Sequence, residues 1–202
     1  MAVAEREVVI RAQEGFYTEG EYLALEEAAD ERHEYVRGRI NLMSGGTDNH
    51  GIVSVNITAE LRAALRSRGC AVMPSDVKVR AADEMYYPDA SVVCGTRHYY
   101  GRNRTVITNP LLIAEVLSPS TEGKDRGEKF RNYLTLESLS VYLLASQNEP
   151  RVEQFSRSEG GDWQYTVAEG LDSVLVIPAL SIELKLVDVY DQVDFADEAA
   201  DD

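Results

Sequence analysis

Two acidic residues lie in or next to apolar segments, where burying a carboxylate costs folding free energy. Glu115 lies in the middle of the otherwise apolar run 111–117 (LLIAEVL). A carboxylate in a buried strand costs several kcal/mol unless it is paired or bound to a metal. Asp89 follows Pro88 at the entry to a second apolar run, 90–94 (ASVVC). Taken singly, Glu115 could pair with an arginine at a sheet edge and Asp89 could be a turn aspartate.

Taken together, the two acids predict a shared site, because neighbouring buried strands would bring their carboxylates side by side. Two adjacent carboxylates repel unless one is protonated, whereas a divalent cation removes the repulsion. Oxygen ligands suit Mg²⁺. Beside a lysine, such an ion favours phosphodiester hydrolysis: it lowers the pKa of its water and neutralises developing charge, while the lysine orients the water. The sequence contains no phosphate-binding glycine loop, HExxH motif or zinc-spaced Cys/His set.

The pattern around these acids predicts an α/β fold with a mixed central sheet flanked by helices. Thr18 and Glu21 form a capping box that opens a helix to about Ala29. Residues 33–43 favour a hairpin about Arg37-Gly38. A second helix, ending near Gly69, is predicted because one face carries the apolar residues Val53, Ile57, Leu61, Ala64 and Leu65. A third is predicted within 118–136, with Phe130, Tyr133 and Leu134 facing inward. Strands are predicted at 70–74, 76–80, 90–94, 111–117, 140–146, 151–157, 163–169 and 174–186.

Composition narrows the class of protein. The chain has 202 residues, of which 44% are hydrophobic and 27% charged, so a single globular domain is expected and disorder or a fibrous class is excluded. No apolar run is long enough to span a membrane, and the N-terminus lacks the apolar core of a signal peptide. The only cysteines, Cys70 and Cys94, form no C-x-x-C pair. We expect a cytoplasmic protein with reduced thiols.

The net charge of −15 weighs against non-specific binding to a polyanion, which depends on lysine and arginine. Six acids lie in the last twelve residues, and segment 191–202 is expected to be a flexible, solubilising tail. Basic residues do cluster locally around aromatic ones in 97–104 (RHYYGRNR), where stacking on unpaired bases is possible. A solvated loop explains this segment equally well. The candidate nucleic-acid contacts are Arg97, Tyr99, Tyr100, Arg102 and Arg104.

Three motifs carry a resemblance to a known family. They are residues 87–90 (YPDA), 113–121 (IAEVLSPST) and 125–129 (DRGEK), with His33-Glu34 and His50 upstream. In these motifs the chain resembles the Uma-two type putative restriction endonucleases of the PD-(D/E)XK nuclease superfamily. The likeness covers about residues 17–190. It implies a restriction-endonuclease-like single domain at 17–190 and an Mg²⁺- or Mn²⁺-dependent endonuclease acting on DNA. Residues 1–16 are expected from the sequence itself to be a loosely ordered lead-in.

The resemblance also implies roles for individual residues. Asp89, Glu115 and Glu34 would be metal ligands, and His50 matches a family histidine of unassigned role. The superfamily motif places a lysine two residues after the glutamate, where this chain has Leu117. The lysine would then come from the following helix, with Lys129 the best match and Lys124 the second. From the residues alone, Lys129 could equally form an i,i+4 salt bridge with Asp125 on a helix surface.

Partners follow from the same resemblance. It implies nucleic acid, DNA first, as substrate and a homodimer as the assembly, because two sites suit the cutting of two strands. The alternative is a catalytically silent nuclease fold that serves as a binding or regulatory module. That alternative accounts for the net charge of −15 but gives Glu115 no reason to be buried.

Overall fold

The computed structural model describes residues 16–101 and 104–195, and the chain divides between Met43 and Ser44 into two compact units. The predicted α/β class is confirmed, since helices flank mixed β-structure. Most of the predicted lead-in, Arg102, and residues 196–202 of the acidic tail lie outside the described residues. Within the described residues, no helix is both long and apolar enough to cross a membrane.

The first unit contains one helix and one hairpin. Helix α1 (Glu19–Ala28) begins at the predicted capping box: Thr18 accepts a hydrogen bond from the Glu21 N–H, and the Glu21 carboxylate accepts from the Thr18 N–H. Strands β1 (His33–Val36) and β2 (Arg39–Leu42) form the predicted antiparallel hairpin. Both central turn residues are left-handed, with φ of 51° at Arg37 and 76° at Gly38, which matches the twist of paired strands.

The second unit is built on a six-stranded sheet with the order β11-β10-β9-β8-β6-β3. Strands β8 and β9 are parallel and are joined by a helical crossover, whereas the other neighbours are antiparallel. The six strands are β3 (Cys70–Pro74), β6 (Ala90–Cys94), β8 (Leu112–Leu117), β9 (Val141–Ser146), β10 (Arg151–Arg157) and β11 (Trp163–Glu169). Strand β8 is buried at all six positions, as its apolar run predicted.

Shorter strands complete the second unit. Strand β4 (Lys78–Ala81) pairs with β5 (Glu84–Tyr86) and with β7 (Val106–Ile107). The sequence pattern did not predict β5 and β7, because strands of two or three residues are too short to show alternation. Strands β12 (Val174–Ile177) and β13 (Ile182–Lys185) pair on either side of a 3₁₀ turn at Pro178–Leu180.

The helices of the second unit pack on the six-stranded sheet. The predicted apolar face of α2 (Asp48–Ala64) is buried against Ala114 and Val116 of β8. Helix α2 ends at Ala64 instead of near Gly69, and turns follow it. The crossover from β8 to β9 is one helical segment, 122–133, made of α3 (Glu122–Lys124), a π turn (Asp125–Lys129) and α4 (Phe130–Tyr133). The short helix α5 (Leu186–Val189) lies near the end of the described chain.

The two cysteines are joined by a disulfide. The expectation of reduced thiols is therefore wrong for this structure. Cys70 begins β3 and Cys94 ends β6, and the antiparallel register places them directly opposite, with their Cα atoms 3.9 Å apart. A separation of 24 residues in the sequence gave no sign of this pairing.

Candidate active site

Asp89 and Glu115 lie on neighbouring strands of the six-stranded sheet. The β6–β8 register pairs Ala90 with Ala114, and one further step sets Asp89 opposite Glu115. An Asp89 oxygen, Oδ2, accepts a hydrogen bond of 2.7 Å from the Val116 N–H, which holds this carboxylate at the beginning of β6. Side chains alternate along a strand, so Ala114 and Val116 face the α2 core while Glu115 points to the other side of the sheet.

Glu115 is held on that other side by two residues of the crossover. Its Oε1 accepts a hydrogen bond of 3.0 Å from the Tyr133 hydroxyl and lies 3.3 Å from the Lys129 Nζ. Strand β8 lies between β9 and β6, so Glu115 is not at a sheet edge, and the described partner is a lysine. An edge ion pair with an arginine therefore does not explain this carboxylate.

The π turn places Lys129 between two carboxylates. The Lys129 Nζ lies 3.3 Å from Asp125 Oδ1 as well as 3.3 Å from Glu115 Oε1, and 5.5 Å from the centre of the Tyr86 ring. The i,i+4 pair that the sequence allowed does exist, but it is not on a helix surface. The side chains of Lys129 and Asp125 are only 8% and 2% exposed, respectively. π turns occur often at functional sites.

His50 approaches Asp89 from the beginning of α2. Its Nε2 lies 3.6 Å from Asp89 Oδ2. The Thr47 hydroxyl caps the helix by accepting from the His50 N–H, and it donates to the Gln147 side chain just beyond β9. A Cβ at Gly46 would lie 3.0 Å from the His50 ring, so a larger residue there would press on the imidazole.

Burial dominates the electrostatics of this group. It raises the pKa of Asp89 above its usual value, and Asp125 acts in the same direction, while His50, the Val116 N–H and Lys129 oppose the shift. Burial also raises the pKa of Tyr142 well above its ordinary value, so this phenol stays neutral and donates to the Asp125 carbonyl. Glu115 and Asp125 lie beside Lys129, and Asp89 is near enough to feel the charges of His50, Lys129 and Asp125.

One buried carboxylate oxygen of this group has no hydrogen-bond partner. Asp125 Oδ1 is buried and accepts no hydrogen bond of normal geometry, although Lys129 is near. Oxygen ligands of this kind suit Mg²⁺ or Mn²⁺. Across the described ranges, however, no three His, Cys, Asp or Glu side chains already converge as a set that could hold an ion.

Two other residues predicted for the site, Glu34 and Lys124, do not contact Glu115 or Lys129 in the contacts described above. Glu34 is buried in the first unit, on β1 opposite Asn41. Lys124 is exposed at the end of α3, and within the described residues its side chain forms no hydrogen bond or ion pair. Sequence reasoning had assigned Asp125 and Tyr133 no part in the site. The i,i+4 spacing did predict the contact between Asp125 and Lys129, but it did not predict that this pair would be buried or that Tyr133 would donate to Glu115.

The basic, aromatic loop lies between β6 and β7. Its aromatic rings are covered by arginines: the Arg104 guanidinium lies 4.9 Å from the centre of the Tyr99 ring, and that of Arg80 lies 4.5 Å from the centre of the Tyr100 ring. Arg97 and Arg104 are exposed, and Tyr99 is partly exposed. The structure therefore shows stacked cation–aromatic pairs at the surface.

A family model and two relatives match most of the chain. A family model described as "Uma2: Putative restriction endonuclease" matches residues 20–188. The uncharacterized protein slr1290 of Synechocystis sp. (strain PCC 6803) is 39% identical over 145 residues, which cover 71% of this chain and 75% of that protein. A second uncharacterized Synechocystis protein, sll1609, is 33% identical over 155 residues, or 76% of this chain and 88% of that protein.

A solved structure supports the fold. The crystal structure of a putative nuclease belonging to DUF820 from Anabaena variabilis matches with a TM-score of 0.69 and 17% identity, covering 85% of this chain and 96% of that one. A likeness at this identity shows a shared nuclease-like fold. With the family match over most of its length, the chain belongs to the Uma2 family of putative restriction endonucleases.

Proposed function

We propose that this protein is a metal-dependent endonuclease that hydrolyses DNA phosphodiester bonds. One observation carries the proposal: Lys129 contacts Glu115 in the interior of the protein. Glu115 occupies the position of β8 that lies opposite Asp89. Leu117 occupies the usual lysine position of the superfamily motif, and a lysine from the following helix takes the place beside the same glutamate. Family membership supports a nuclease-like activity.

The acidic residues would hold the metal. Asp89 and Glu115 would bind Mg²⁺ or Mn²⁺ through carboxylate oxygens. Glu34 is proposed as a ligand on the family resemblance alone. When bound, such an ion lowers the pKa of its water and neutralises charge on the phosphate. The burial of the Glu115 carboxylate, and the buried Asp125 oxygen that accepts no hydrogen bond, support this assignment.

Lys129 would orient the attacking water and stabilise negative charge on the phosphate oxygens. Its ammonium is held by Asp125 and Glu115 and by the nearby Tyr86 ring, so its position is set before substrate binds. His50 would act as an accessory group through Asp89, which it approaches to 3.6 Å. Groups positioned in this way typically contribute about 10²–10⁴-fold to a rate.

The exposed loop between β6 and β7 would contact the substrate backbone and bases. Arg97 and Arg104 supply charge for phosphates, and Tyr99 and Tyr100 supply rings for stacking. Arg102 is proposed on its sequence position alone. Because the net charge is −15, binding would depend on such local bases and weaken steeply as salt rises.

The test is plasmid cleavage by the purified full chain at low salt with Mg²⁺ or Mn²⁺. Nicking that EDTA and Asp89→Ala both abolish supports the proposal. Lys129→Ala against Lys124→Ala is a matched pair, because the two lysines share one helical segment but only Lys129 contacts Glu115. We expect Lys129→Ala to slow cleavage by about 10²-fold or more and Lys124→Ala by less than about two-fold.

Two results would change the proposal. Equal activity of the two lysine variants would remove Lys129 from the mechanism. Absence of both cleavage and metal binding by calorimetry would favour the silent nuclease fold as a binding or regulatory module. Size-exclusion chromatography with light scattering tests the proposed homodimer separately.

A further inference from the structure

Strand β11 forms one edge of the six-stranded sheet and is open on one side. It pairs with β10 along all seven residues, from Trp163 to Glu169, and within the described residues no strand pairs with its other side. Five of the seven residues are exposed. An edge strand of this kind presents a row of backbone N–H and C=O groups that a further strand can bind.

The opposite edge of the sheet is protected against such pairing, whereas β11 is not. Strand β3 at that edge has five residues, ends in Pro74 and leaves only that proline exposed. Proline cannot donate a hydrogen bond to a neighbouring strand. Strand β11 contains no proline or lysine, and its one charged residue, Glu169, pairs with Arg151. Natural proteins commonly place such residues on an edge strand to block pairing, so their absence indicates an edge that binds a partner strand.

Exposed apolar side chains are concentrated around this edge. Tyr165 and Val167 point to the same face of the sheet and are 52% and 38% exposed, and three more exposed apolar residues follow between 171 and 176. The fifteen residues from 163 to 177 contain only two charged ones, Glu169 and Asp172. Because each chain carries a net charge of −15, two copies approach most readily where charge is scarce. This surface therefore suits a second copy of the chain better than a polyanion, which would need basic residues here.

We propose that β11 pairs in antiparallel orientation with β11 of a second copy, about a two-fold axis at Thr166. The inference rests on the homodimer proposed above and assigns its interface. A two-fold axis makes the interface self-complementary, so each contact between two different positions occurs twice. Strand β11 runs from 163 to 169, and the register centred on Thr166 is the one that pairs all seven residues. The two six-stranded sheets then form one continuous sheet.

The side chains that meet in this register are compatible. Tyr165 of each copy faces Val167 of the other, which is a favourable aromatic and β-branched pair, and Thr166 faces its own equivalent. Glu169 faces Trp163, so the two Glu169 carboxylates lie at opposite ends of the interface, about 20 Å apart. That distance exceeds the screening length of about 8 Å at physiological salt. No like charges on β11 therefore oppose each other.

The pairing leaves the candidate active site uncovered. Strand β8, which carries Glu115, lies three strands away from β11 in the sheet. Lys129 and Tyr133 reach Glu115 from the crossover between β8 and β9, and neither belongs to the edge. The dimer thus has two separate sites, and a change confined to β11 tests the interface without altering the contacts of Glu115.

The first experiment measures the molar mass of the full chain by light scattering after size-exclusion chromatography, without metal or DNA. We expect wild type to have the mass of two chains. Thr166→Lys places two ammonium groups opposite each other at the axis, so it should raise the dissociation constant of the dimer about ten-fold or more. Thr96→Lys is the matched control, because it makes the same change in charge at an exposed threonine outside β11 and should stay dimeric. Circular dichroism checks that both variants are folded.

Thr166→Cys against Gln164→Cys tests the register. Directly opposite residues of antiparallel strands have Cα atoms about 4.5–5.5 Å apart, which a disulfide can span. Thiols introduced at position 164 would lie about 14 Å apart, because each faces position 168 of the other copy, and this distance is too long for a disulfide. The two native cysteines are already joined to each other. With oxidised glutathione we expect covalent dimers from Thr166→Cys and few from Gln164→Cys.

Three results would each overturn the proposal: a monomeric wild type, a folded Thr166→Lys variant that stays dimeric, or equal cross-linking of the two cysteine variants. Neither measurement uses metal or DNA, so each is independent of nuclease activity. A protein that dimerises through β11 but does not cleave DNA would keep the interface and lose the nuclease function. A monomer that nicks plasmid would keep the nuclease function and lose the interface.

Discussion

The two sides of the helical segment 122–133 carry ion pairs of different kinds. On the inner side, Lys129 lies between Asp125 and Glu115, and all three side chains are at least nine-tenths buried. On the outer side, Arg126 binds Glu122 and Glu153, with 37% of the arginine side chain exposed. The central basic residues of the two groups, Arg126 and Lys129, are three residues apart in sequence, and each pairs with two carboxylates.

The difference between them is one of burial. Outside, Arg126 and Arg151 share Glu153 and also pair with Glu122 and Glu169, in contact with solvent. Inside, Lys129 pairs with Asp125 and Glu115, and His50 lies beside the largely buried Asp89. Removing one partner of a buried ion pair leaves an uncompensated charge and is strongly destabilising. The inner group should therefore respond more than the outer one to the loss of a partner.

The largest expected effect comes from removing the inner cation. Lys129→Met keeps the length of the side chain but leaves buried carboxylates facing each other, so we expect a loss of about 3 kcal/mol in the free energy of unfolding. Arg126→Met should cost about 1 kcal/mol, because Arg126 is partly solvated and Arg151 still pairs with Glu153. Urea unfolding of the two variants measures the difference. Equal losses would show that the burial of the inner group does not govern its energy.

A second change should restore part of that loss. Asp125→Asn removes one of the facing carboxylates, so in the Lys129→Met background it should recover about 1–2 kcal/mol, while alone it should destabilise or be nearly neutral. A double-mutant cycle from urea unfolding gives the coupling between the two residues. Strict additivity would contradict a direct interaction, despite the 3.3 Å separation of the charged atoms.

Tyr133→Phe should have an intermediate effect. The change removes one buried hydrogen bond to the Glu115 carboxylate, a loss of about 1.5 kcal/mol in stability, and frees Glu115 to turn. The matched control is Tyr99→Phe, whose hydroxyl accepts from Arg104 at the surface and should be worth less than about 0.5 kcal/mol. If the proposed function holds, Tyr133→Phe should also slow plasmid nicking about ten-fold. Unchanged stability in both variants would show that the Tyr133 bond contributes nothing.

The sequence predicted most of what local rules control. Hydrophobic periodicity and turn chemistry act over a few residues, so features that depend on them were predicted correctly. These are the capping box at Thr18, the hairpin at Arg37-Gly38, the buried face of α2 and the fully buried strand β8. Asp89 and Glu115 could be singled out for the same reason, since each interrupts an apolar context. Their opposition across β6 and β8 follows from the strand register.

What the sequence did not predict depends on contacts between distant segments. The segment 125–129 (DRGEK) was predicted as part of an ordinary α-helix. In the structure it is a π turn in which the side chains of Asp125 and Lys129 are both buried. The Cys70–Cys94 pairing likewise becomes apparent only when the register of the sheet is known. The positions of the charged residues in the sequence did not distinguish the exposed outer pairs from the buried inner group.

The smallest expected effect comes from breaking one ion pair on the outer side of the helical segment. Glu122→Gln removes the i,i+4 partner of Arg126, and both side chains are substantially exposed, so the loss should be about 0.3–0.5 kcal/mol and should fade as salt is raised. The Lys129→Met loss should hardly change with salt, because buried charges are screened much less. Urea unfolding of both variants at low and high ionic strength compares them directly. A strong salt dependence in Lys129→Met would mean that water reaches the inner group, and its carboxylates would then need no cation to balance them.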